Sequence, residues 1–181
     1  MARARGGPSC GGRHIPSIDP VPAAFDDLVA TMDSAMVVVT AAVADERDGC
    51  LVGFHSQASI EPPAYVVWLS TANRTTGLAQ RAEHLAVHVL ADDQRDLAEL
   101  FGGETGDDTD KLALVSWTAG VGGAPVLTAC PNRFVGAVVE RLDAGGDHLC
   151  VVLRPVDASL GTVVAPLRLG RVVDIDPGHP A

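Results

Sequence analysis

Hydroxyl, amide and guanidinium side chains are concentrated in residues 70–80, STANRTTGLAQ. A buried strand is expected to end at Ser70, and the polar cluster leads directly into a segment with helical character. Unpaired backbone N–H groups at the start of a helix attract anions, and Arg74 with its neighbouring hydroxyls would complete a cradle for a phosphate group. A capped helix with a solvated arginine would use the same residues, so this stretch alone leaves both interpretations open.

Residues 49–61, GCLVGFHSQASIE, have an unusual composition for a strand of a buried sheet. Small residues, hydroxyls and the imidazole of His55 are mixed with apolar residues, and the pattern stops at Pro62 and Pro63. Gly53 would let a flat ring approach the backbone closely, where N–H and C=O groups can bind polar ring atoms. The segment therefore faces either water or a ligand.

Three further histidines could contribute to a site. His84 and His88 lie four residues apart, which on a helix would suit a metal ion. A boundary between helix and strand is predicted to fall between them and no third ligand is nearby, so His88 is predicted to be a hydrogen-bonded histidine of a strand. His148 follows the turn residues GGD at the mouth of a predicted hairpin, where it could contact a ligand or simply lie at the surface.

The cysteines form no CxxC pair, so neither a metal cluster nor a disulfide framework is indicated. Cys50, Cys130 and Cys150 are predicted to be small buried hydrophobic residues. The sequence also contains no GxSxG, P-loop, GxGxxG or HExxH motif. A reaction whose difficult chemistry belongs to a bound cofactor would need none of these.

The surrounding elements favour an antiparallel barrel. Apolar periodicity predicts helices at 25–32, 75–84 and 92–103, the last capped by Asp92 or Asp93. Strands are predicted at 35–43, 49–60, 64–70, 85–91, 112–117, 133–143 and 147–156, with a charged turn at 45–49, an acidic loop at 104–110 and a short edge strand within 163–176. A doubly wound sheet would need helices between nearly all strands, so a closed or half-closed barrel with a few covering helices fits better.

The amino-acid composition limits the expected binding partners and location of the protein. The chain has 181 residues, a net charge of −10 and a single lysine, so a nucleic-acid backbone is not an expected partner. No apolar run approaches the roughly 20 residues of a membrane span, and the basic, Gly-rich start lacks the apolar segment of a secretion signal, so a cytoplasmic location is expected. We predict a flexible arm at 1–22, one domain at 23–160 and a C-terminal extension at 161–181.

The order of these segments resembles the flavin reductase-like, FMN-binding split-barrel family, over roughly residues 25–155. A first helix precedes MVVVTA, and the glycine-containing strand ends in SIEPP, where the family usually has Ser, an aliphatic residue, Asp and two prolines. NRT at 73–75 stands at the family's Ser-Arg-Thr type phosphate site. LAVHVL and GGDHLCVV match a later strand and a Gly-Asp-His turn.

The resemblance implies a mainly β fold with a few helices, an antiparallel split β-barrel that is usually a homodimer. It implies FMN or FAD near the subunit interface, reduced by NADH or NADPH, often in the service of a partner monooxygenase. It further implies that the isoalloxazine contacts Val52, Gly53, Phe54 and His55, that Ser59 supports their strand, and that the phosphate contacts Asn73, Arg74 and Thr75. His148 would stand at the reactive edge of the flavin, and His88 takes the position of the family's usual Asn at the cofactor.

Three functions are compatible with these residues. The first is an NAD(P)H-dependent flavin reductase or a related flavin oxidoreductase. The second is a non-catalytic protein that binds a flavin or another planar cofactor, which the substitutions at Leu51, Gly53 and Phe54 favour. The third is a plain dimeric scaffold whose polar strand is solvated. NADH or NADPH, and FMN, FAD or a deazaflavin, are left open.

Overall fold

The computed structural model describes residues 24–178. Its helices and strands are α1 (Ala24–Ala30), β1 (Val37–Val43), β2 (Glu46–Val52), β3 (His55–Ser59), β4 (Ala64–Ser70), α2 (Arg74–Ala79), β5 (His84–Val89), α3 (Arg95–Gly103), β6 (Trp117–Ala119), β7 (Pro125–Leu127), β8 (Arg133–Asp143) and β9 (His148–Ser159). The predicted arm at 1–22 lies outside the described residues.

The main sheet is antiparallel, and its two edge strands are consecutive in the chain. It has seven strands in the order β2-β1-β5-β8-β9-β4-β3, and β6 and β7 form a separate hairpin. Gly53 and Phe54 alone separate β2 from β3, so the sheet must curl until its opposite edges meet there. The N–H of Trp68 in β4 donates to the Phe54 carbonyl at 2.9 Å, which extends pairing into this connection. β2 and β3 themselves are not paired by backbone hydrogen bonds. The prediction of a mainly β, antiparallel fold with a few helices is confirmed, and the described sheet is not closed.

Alternation along the strands divides the core between the two faces of the sheet. On one face, Val37 and Val39 pack with Leu69, Val87 and Val151. Val38, which lies between them in β1, points to the other face of the sheet. There it belongs to a second buried cluster with Leu90, Phe101, Leu127 and Leu167. Because β1 is buried on both faces of the sheet, its sequence is rich in β-branched residues and does not alternate between polar and apolar residues. α3 and the chain after residue 165 cover this second face.

Several boundaries were predicted correctly and others were wrong. β4 and β8 match their predicted ranges, whereas the segment 49–60 is two strands that pair with different neighbours. The predicted charged turn at 45–49 is also wrong, because β2 already begins at Glu46 and the tight turn is made by Ala44, whose φ is 52°, and Asp45. Asp48 and Gly49 are therefore buried strand residues.

The remaining errors concern short or capped segments. The predicted strand at 112–117 is mostly a 3-10 helix and loop, and only Trp117 belongs to a strand. Neither Asp92 nor Asp93 caps α3; Gln94 holds the N-cap position, and its side-chain oxygen accepts the N–H of Ala91. Apolar runs of this length do not distinguish a strand from other buried structure.

The C-terminal segment packs on the domain without forming a strand. Ala35 bridges Arg168 and Ala91 bridges Pro166, and Leu167 is fully buried. The predicted edge strand within 163–176 is thus reduced to isolated bridges and a 3-10 helix at Leu169–Arg171. Among the described residues, no helix is long and apolar enough to cross a membrane.

Candidate functional site

The break between β2 and β3 opens a cavity of about 290 Å³, which we call the apolar cavity. Val52, Gly53 and Phe54 line it from the break itself. It is also lined by Trp68 and Ser70 from β4, by Asn73 before α2 and by His148 from β9. The predicted site residues of segments 49–61 and 70–80 and of the GGDH turn are therefore brought together. Ser70 and His148 are direct partners in the β4–β9 register, which explains their proximity.

Gly53 keeps the middle of this cavity open. A Cβ atom added there would lie 3.5 Å from the Met36 sulfur and 4.0 Å from a Leu169 methyl group, both of which line the cavity. Such a side chain would fit sterically but would fill cavity space. The backbone of the break is thus left accessible to a flat group.

A second, polar cavity of about 500 Å³ adjoins the first, and Asn73 lines both. It is lined by the hydroxyl-bearing Thr71 and Thr76 and by the guanidinium groups of Arg74 and Arg81. The carboxylates of Glu46 and Asp107 line it as well, and each lies within 4.0 Å of one of these guanidinium groups. Arg74 Nη1 donates to the Gly106 carbonyl at 3.0 Å, and its Nε lies 4.0 Å from Asp107. An acidic loop therefore holds the arginine that was predicted to bind phosphate.

Buried charges support this end of the site from beneath. The Asp48 carboxylate accepts the Thr75 hydroxyl at 3.1 Å and lies 3.4 Å from Lys111 Nζ. Lys111 is only 1% exposed and also donates to the Glu104 carbonyl at 3.1 Å. The side chain of Thr75 is thus directed into the protein, not into the polar cavity. The sequence analysis did not identify Asp48 or Lys111 as residues that support the site. Lys111 is the only lysine of the chain, and this could have indicated a specific structural role.

His148 lies at the rim of the apolar cavity against Phe54. The two ring centroids are 5.2 Å apart and the planes are inclined by 48°. Nδ1 of His148 lies 2.7 Å from an Asp147 carboxylate oxygen, and this contact lowers the pKa of Asp147. Phe54 is 53% exposed, so its ring closes the cavity only loosely.

Besides Thr75, three predicted cofactor residues do not line either cavity: His55, Ser59 and His88. His55 is held through both nitrogens, at 2.6 Å from the Tyr65 hydroxyl and 2.8 Å from the Ala35 carbonyl. Ser59 ends β3, away from the break. Their positions suit support of the strands, the role that was predicted for Ser59.

His88 is fully buried inside the sheet. Nδ1 lies 3.0 Å from the Val38 carbonyl, and Nε2 accepts the N–H of Leu127 at 3.0 Å. Desolvation lowers its pKa to about 4, so the ring is neutral. The predicted hydrogen-bonded strand histidine is confirmed, but the ring is not at the cavities. His84 was wrongly placed in a helix, because it is the first residue of β5.

The cysteines of the described residues are buried and free, as expected for Cys50, Cys130 and Cys150. Burial raises the pKa of Cys50 to about 12 and that of Cys130 to about 11, so neither thiol is poised as a nucleophile. In the part of the chain that the structure describes, no group of three or more His, Cys, Asp or Glu side chains could hold a metal ion.

The far wall of the apolar cavity was not predicted. It is formed by Leu51 from β2, by Phe101 and Gly102 from α3, and by the C-terminal residues Leu169, Val172, Ile175 and Pro177. The alternating apolar residues of this segment were a signal, but they were interpreted as an edge strand. An apolar cavity beside a polar one with two guanidinium groups is suited to a ligand with a flat ring and an anionic tail.

Comparison with known proteins agrees with this geometry. Residues 29–171 match the sequence model of the family described as "Flavin reductase like domain". The chain is 30% identical over 131 residues to the FMN reductase (NADH) RutF of Stutzerimonas stutzeri, covering 71% of this chain and 75% of the relative. It is 32% identical over 105 residues to the reductase subunit HsaB of a flavin-dependent monooxygenase from Rhodococcus jostii, covering 56% of this chain but 52% of the relative.

Solved structures show the same fold. The FMN-binding protein from Thermus thermophilus superposes with a TM-score of 0.67 at 24% identity, covering 80% of this chain and 78% of the other. The NADH:FAD oxidoreductase SgcE6 of Streptomyces globisporus superposes with a TM-score of 0.68 at 20% identity, covering 81% and 89%. With the match over residues 29–171, the chain belongs to the flavin reductase-like family.

Proposed function

We propose that this protein is an NAD(P)H:flavin oxidoreductase that binds FMN, with FAD as the alternative flavin. The observation that carries the proposal is the pair of adjoining cavities joined at Asn73, one apolar and one lined by guanidinium and hydroxyl groups. A flavin mononucleotide has the matching composition, a flat ring system and a phosphate at the end of a flexible chain. The relative RutF, an FMN reductase (NADH), supports the same activity.

Different residues would contact the ring and the phosphate of the flavin. Val52, Gly53 and Phe54 would contact the ring through the accessible backbone, and Asn73 and Arg74 would hold the phosphate. Thr75 would contribute through its backbone, since its hydroxyl is bonded to Asp48. His55, Ser59 and His88 would hold the strands that shape the site. A bound flavin would itself supply the hydride acceptor, so the protein needs to bind, orient and exclude water.

His148 is proposed to orient the nicotinamide at the rim of the apolar cavity. Its imidazole is held by Asp147 and packs against Phe54, so it presents a fixed surface next to the cavity mouth. His148→Ala should lower the rate of flavin reduction and leave flavin affinity almost unchanged, because the loss falls on the orientation of the second ligand. Stopped-flow reduction at saturating FMN measures this. Unaltered reduction and unaltered NAD(P)H affinity would show that His148 has no such role.

A second candidate is a flavin-binding protein without turnover. The observation that favours it is the packing of the Phe54 ring against His148, which leaves less room at the rim of the apolar cavity for a second planar ring. Fluorescence titration with FMN tests binding, and oxidation of NADH or NADPH with added FMN tests turnover. Binding with turnover supports the oxidoreductase, binding without turnover supports the second candidate, and the absence of both contradicts each of them.

We further propose a homodimer that works with a partner monooxygenase. α1 has no buried residue in the protomer, and its apolar side chains Phe25 and Leu28, with Met32 just after the helix, are exposed. The relatives named as reductase components of monooxygenases support the second part. Sedimentation at micromolar concentration should show a dimer; a monomer that still binds flavin tightly would exclude the dimer as the functional unit.

A further inference from the structure

The apolar cavity has a polar side and an apolar side. Ser70, Asn73 and His148 contribute polar groups where β4 leads into α2 and meets β9. On the α3 side, the C-terminal residues 169–177, which we call the strap, contribute four apolar residues: Leu169, Val172, Ile175 and Pro177. A ligand ring in this cavity would meet hydrogen-bonding groups along one edge and hydrocarbon along the other.

The strap is fixed in place mainly by Arg95 of α3. Its guanidinium lies 2.9 Å from the Asp174 carboxylate, donates to the Arg171 carbonyl and lies 2.8 Å from Glu99 on its own helix. The Gly178 N–H donates to the Gly102 carbonyl at 3.1 Å, which ties the end of the strap to the end of α3. Val172 is buried, so the strap is packed as well as hydrogen-bonded.

The wall that the strap forms offers no polar side chain. Next to it stand Leu51 and Phe101, and the Gly102 carbonyl is already bonded to Gly178. A Cβ at Gly102 would lie 2.9 Å from Leu51, so β2 and α3 are in close contact at this point. A hydroxyl group of a ligand placed against this wall would therefore lose its water partners and gain none.

We propose that the strap recognises the methyl-bearing edge of the flavin ring and that Ile175 and Val172 determine this specificity. The inference rests on the proposed function, and it adds which ring substituents the cavity accepts. Val172, Ile175 and Pro177 lie beyond residue 171, where the match to the family ends, so three of the four strap residues that line the cavity lie outside the family match. Rings that carry a hydroxyl on that edge, as some deazaflavins do, are excluded by the same wall.

The test compares riboflavin with its analogue in which the 8-methyl group is replaced by hydroxyl, by fluorescence titration or calorimetry. The unaltered protein should bind riboflavin at least about tenfold more tightly, which is about 1.4 kcal/mol. Ile175→Ser should reduce that ratio about fivefold by providing a partner for the hydroxyl. Val172→Thr, which keeps the shape of the side chain but adds a hydroxyl at a buried position, should act in the same direction. Val173→Ser is the matched control, because Val173 is in the same segment but 71% exposed.

Each outcome decides the matter. An unchanged ratio in both Ile175→Ser and Val172→Thr, or no preference in the unaltered protein, overturns the role of the strap while the proposed function stands. Failure to bind riboflavin or FMN at all overturns the proposed function, and this inference with it. A reduced ratio in the two variants, with Val173→Ser unchanged, establishes the strap as the recognition element.

Discussion

The apolar cavity and the polar cavity meet at Asn73 but are built from different interactions. The apolar cavity is shaped by packed side chains of β2, α3 and the strap. The polar cavity presents charged groups to solvent, and Arg74 there is held by a carbonyl and a carboxylate of the acidic loop. Binding in the first should depend on shape and area, and binding in the second on charge. A ligand that spans both can therefore be divided experimentally into two contributions.

The largest expected effect concerns the support of the polar cavity. Lys111→Met should lower the free energy of unfolding by about 3–5 kcal/mol, because it leaves the buried Asp48 carboxylate without its cation. Urea unfolding measures the loss. Arg81→Met is the matched control, since the Arg81–Glu46 pair is exposed and worth no more than about 1 kcal/mol. Similar losses in the two variants would mean that burial does not distinguish the pairs.

His88 belongs to neither cavity, and its titration should change stability. Burial depresses its folded pKa to about 4 from the ordinary 6.5, so the unfolded chain binds the proton more readily. Its contribution is fully present above about pH 6.5 and is lost as the pH falls towards 4, by about 3 kcal/mol over the whole window. Urea unfolding across this range should show a steeper loss for the unaltered protein than for His88→Gln. Parallel curves would contradict the predicted pKa.

Removing the guanidinium from the polar cavity should separate the two contributions to binding. Arg74→Ala should weaken FMN binding by about 1.5–3 kcal/mol, the usual worth of a hydrogen bond to a charged group. Riboflavin, which lacks the phosphate, should bind as before. Fluorescence titration of both ligands measures this, with the exposed Arg154→Ala as the control. Equal weakening of the two ligands, or none, would place the anion elsewhere.

The smallest expected effect is that of salt. Raising the ionic strength from about 0.01 M to about 0.15 M shortens the Debye length from roughly 30 Å to roughly 8 Å, so FMN affinity should fall a few-fold. Riboflavin affinity should stay constant, because riboflavin carries no phosphate and therefore no net charge. Titrations of both flavins at the two salt concentrations test this. A riboflavin affinity that falls in parallel with that of FMN would show that the two contributions are not separable.

Local patterns were sufficient for the long strands and for the first contacts of the site. β4 and β8 were predicted with their observed ends, because their apolar runs are bounded by turn residues. The placement of Val52, Gly53, Phe54 and His148 around one cavity also agrees with the resemblance to the family. The strand ends are encoded within a few neighbouring residues, whereas the meeting of His148 with the distant Gly53 was expected only from the resemblance to the family.

Tertiary structure decided which of those residues face the cavities and what closes them. The side chains of His55, Thr75 and His88 could each hold a ligand. In the folded protein, their polar atoms are bonded instead to the Tyr65 hydroxyl, the Asp48 carboxylate and the Val38 carbonyl, respectively. The strap and the Lys111–Asp48 pair join residues that are far apart in sequence. Whether a polar side-chain atom is available to a ligand depends on partners that only folding brings near. The sequence by itself therefore determined the long strands β4 and β8 and the residues of the site motifs. The tertiary structure decided which residues form the walls of the two cavities.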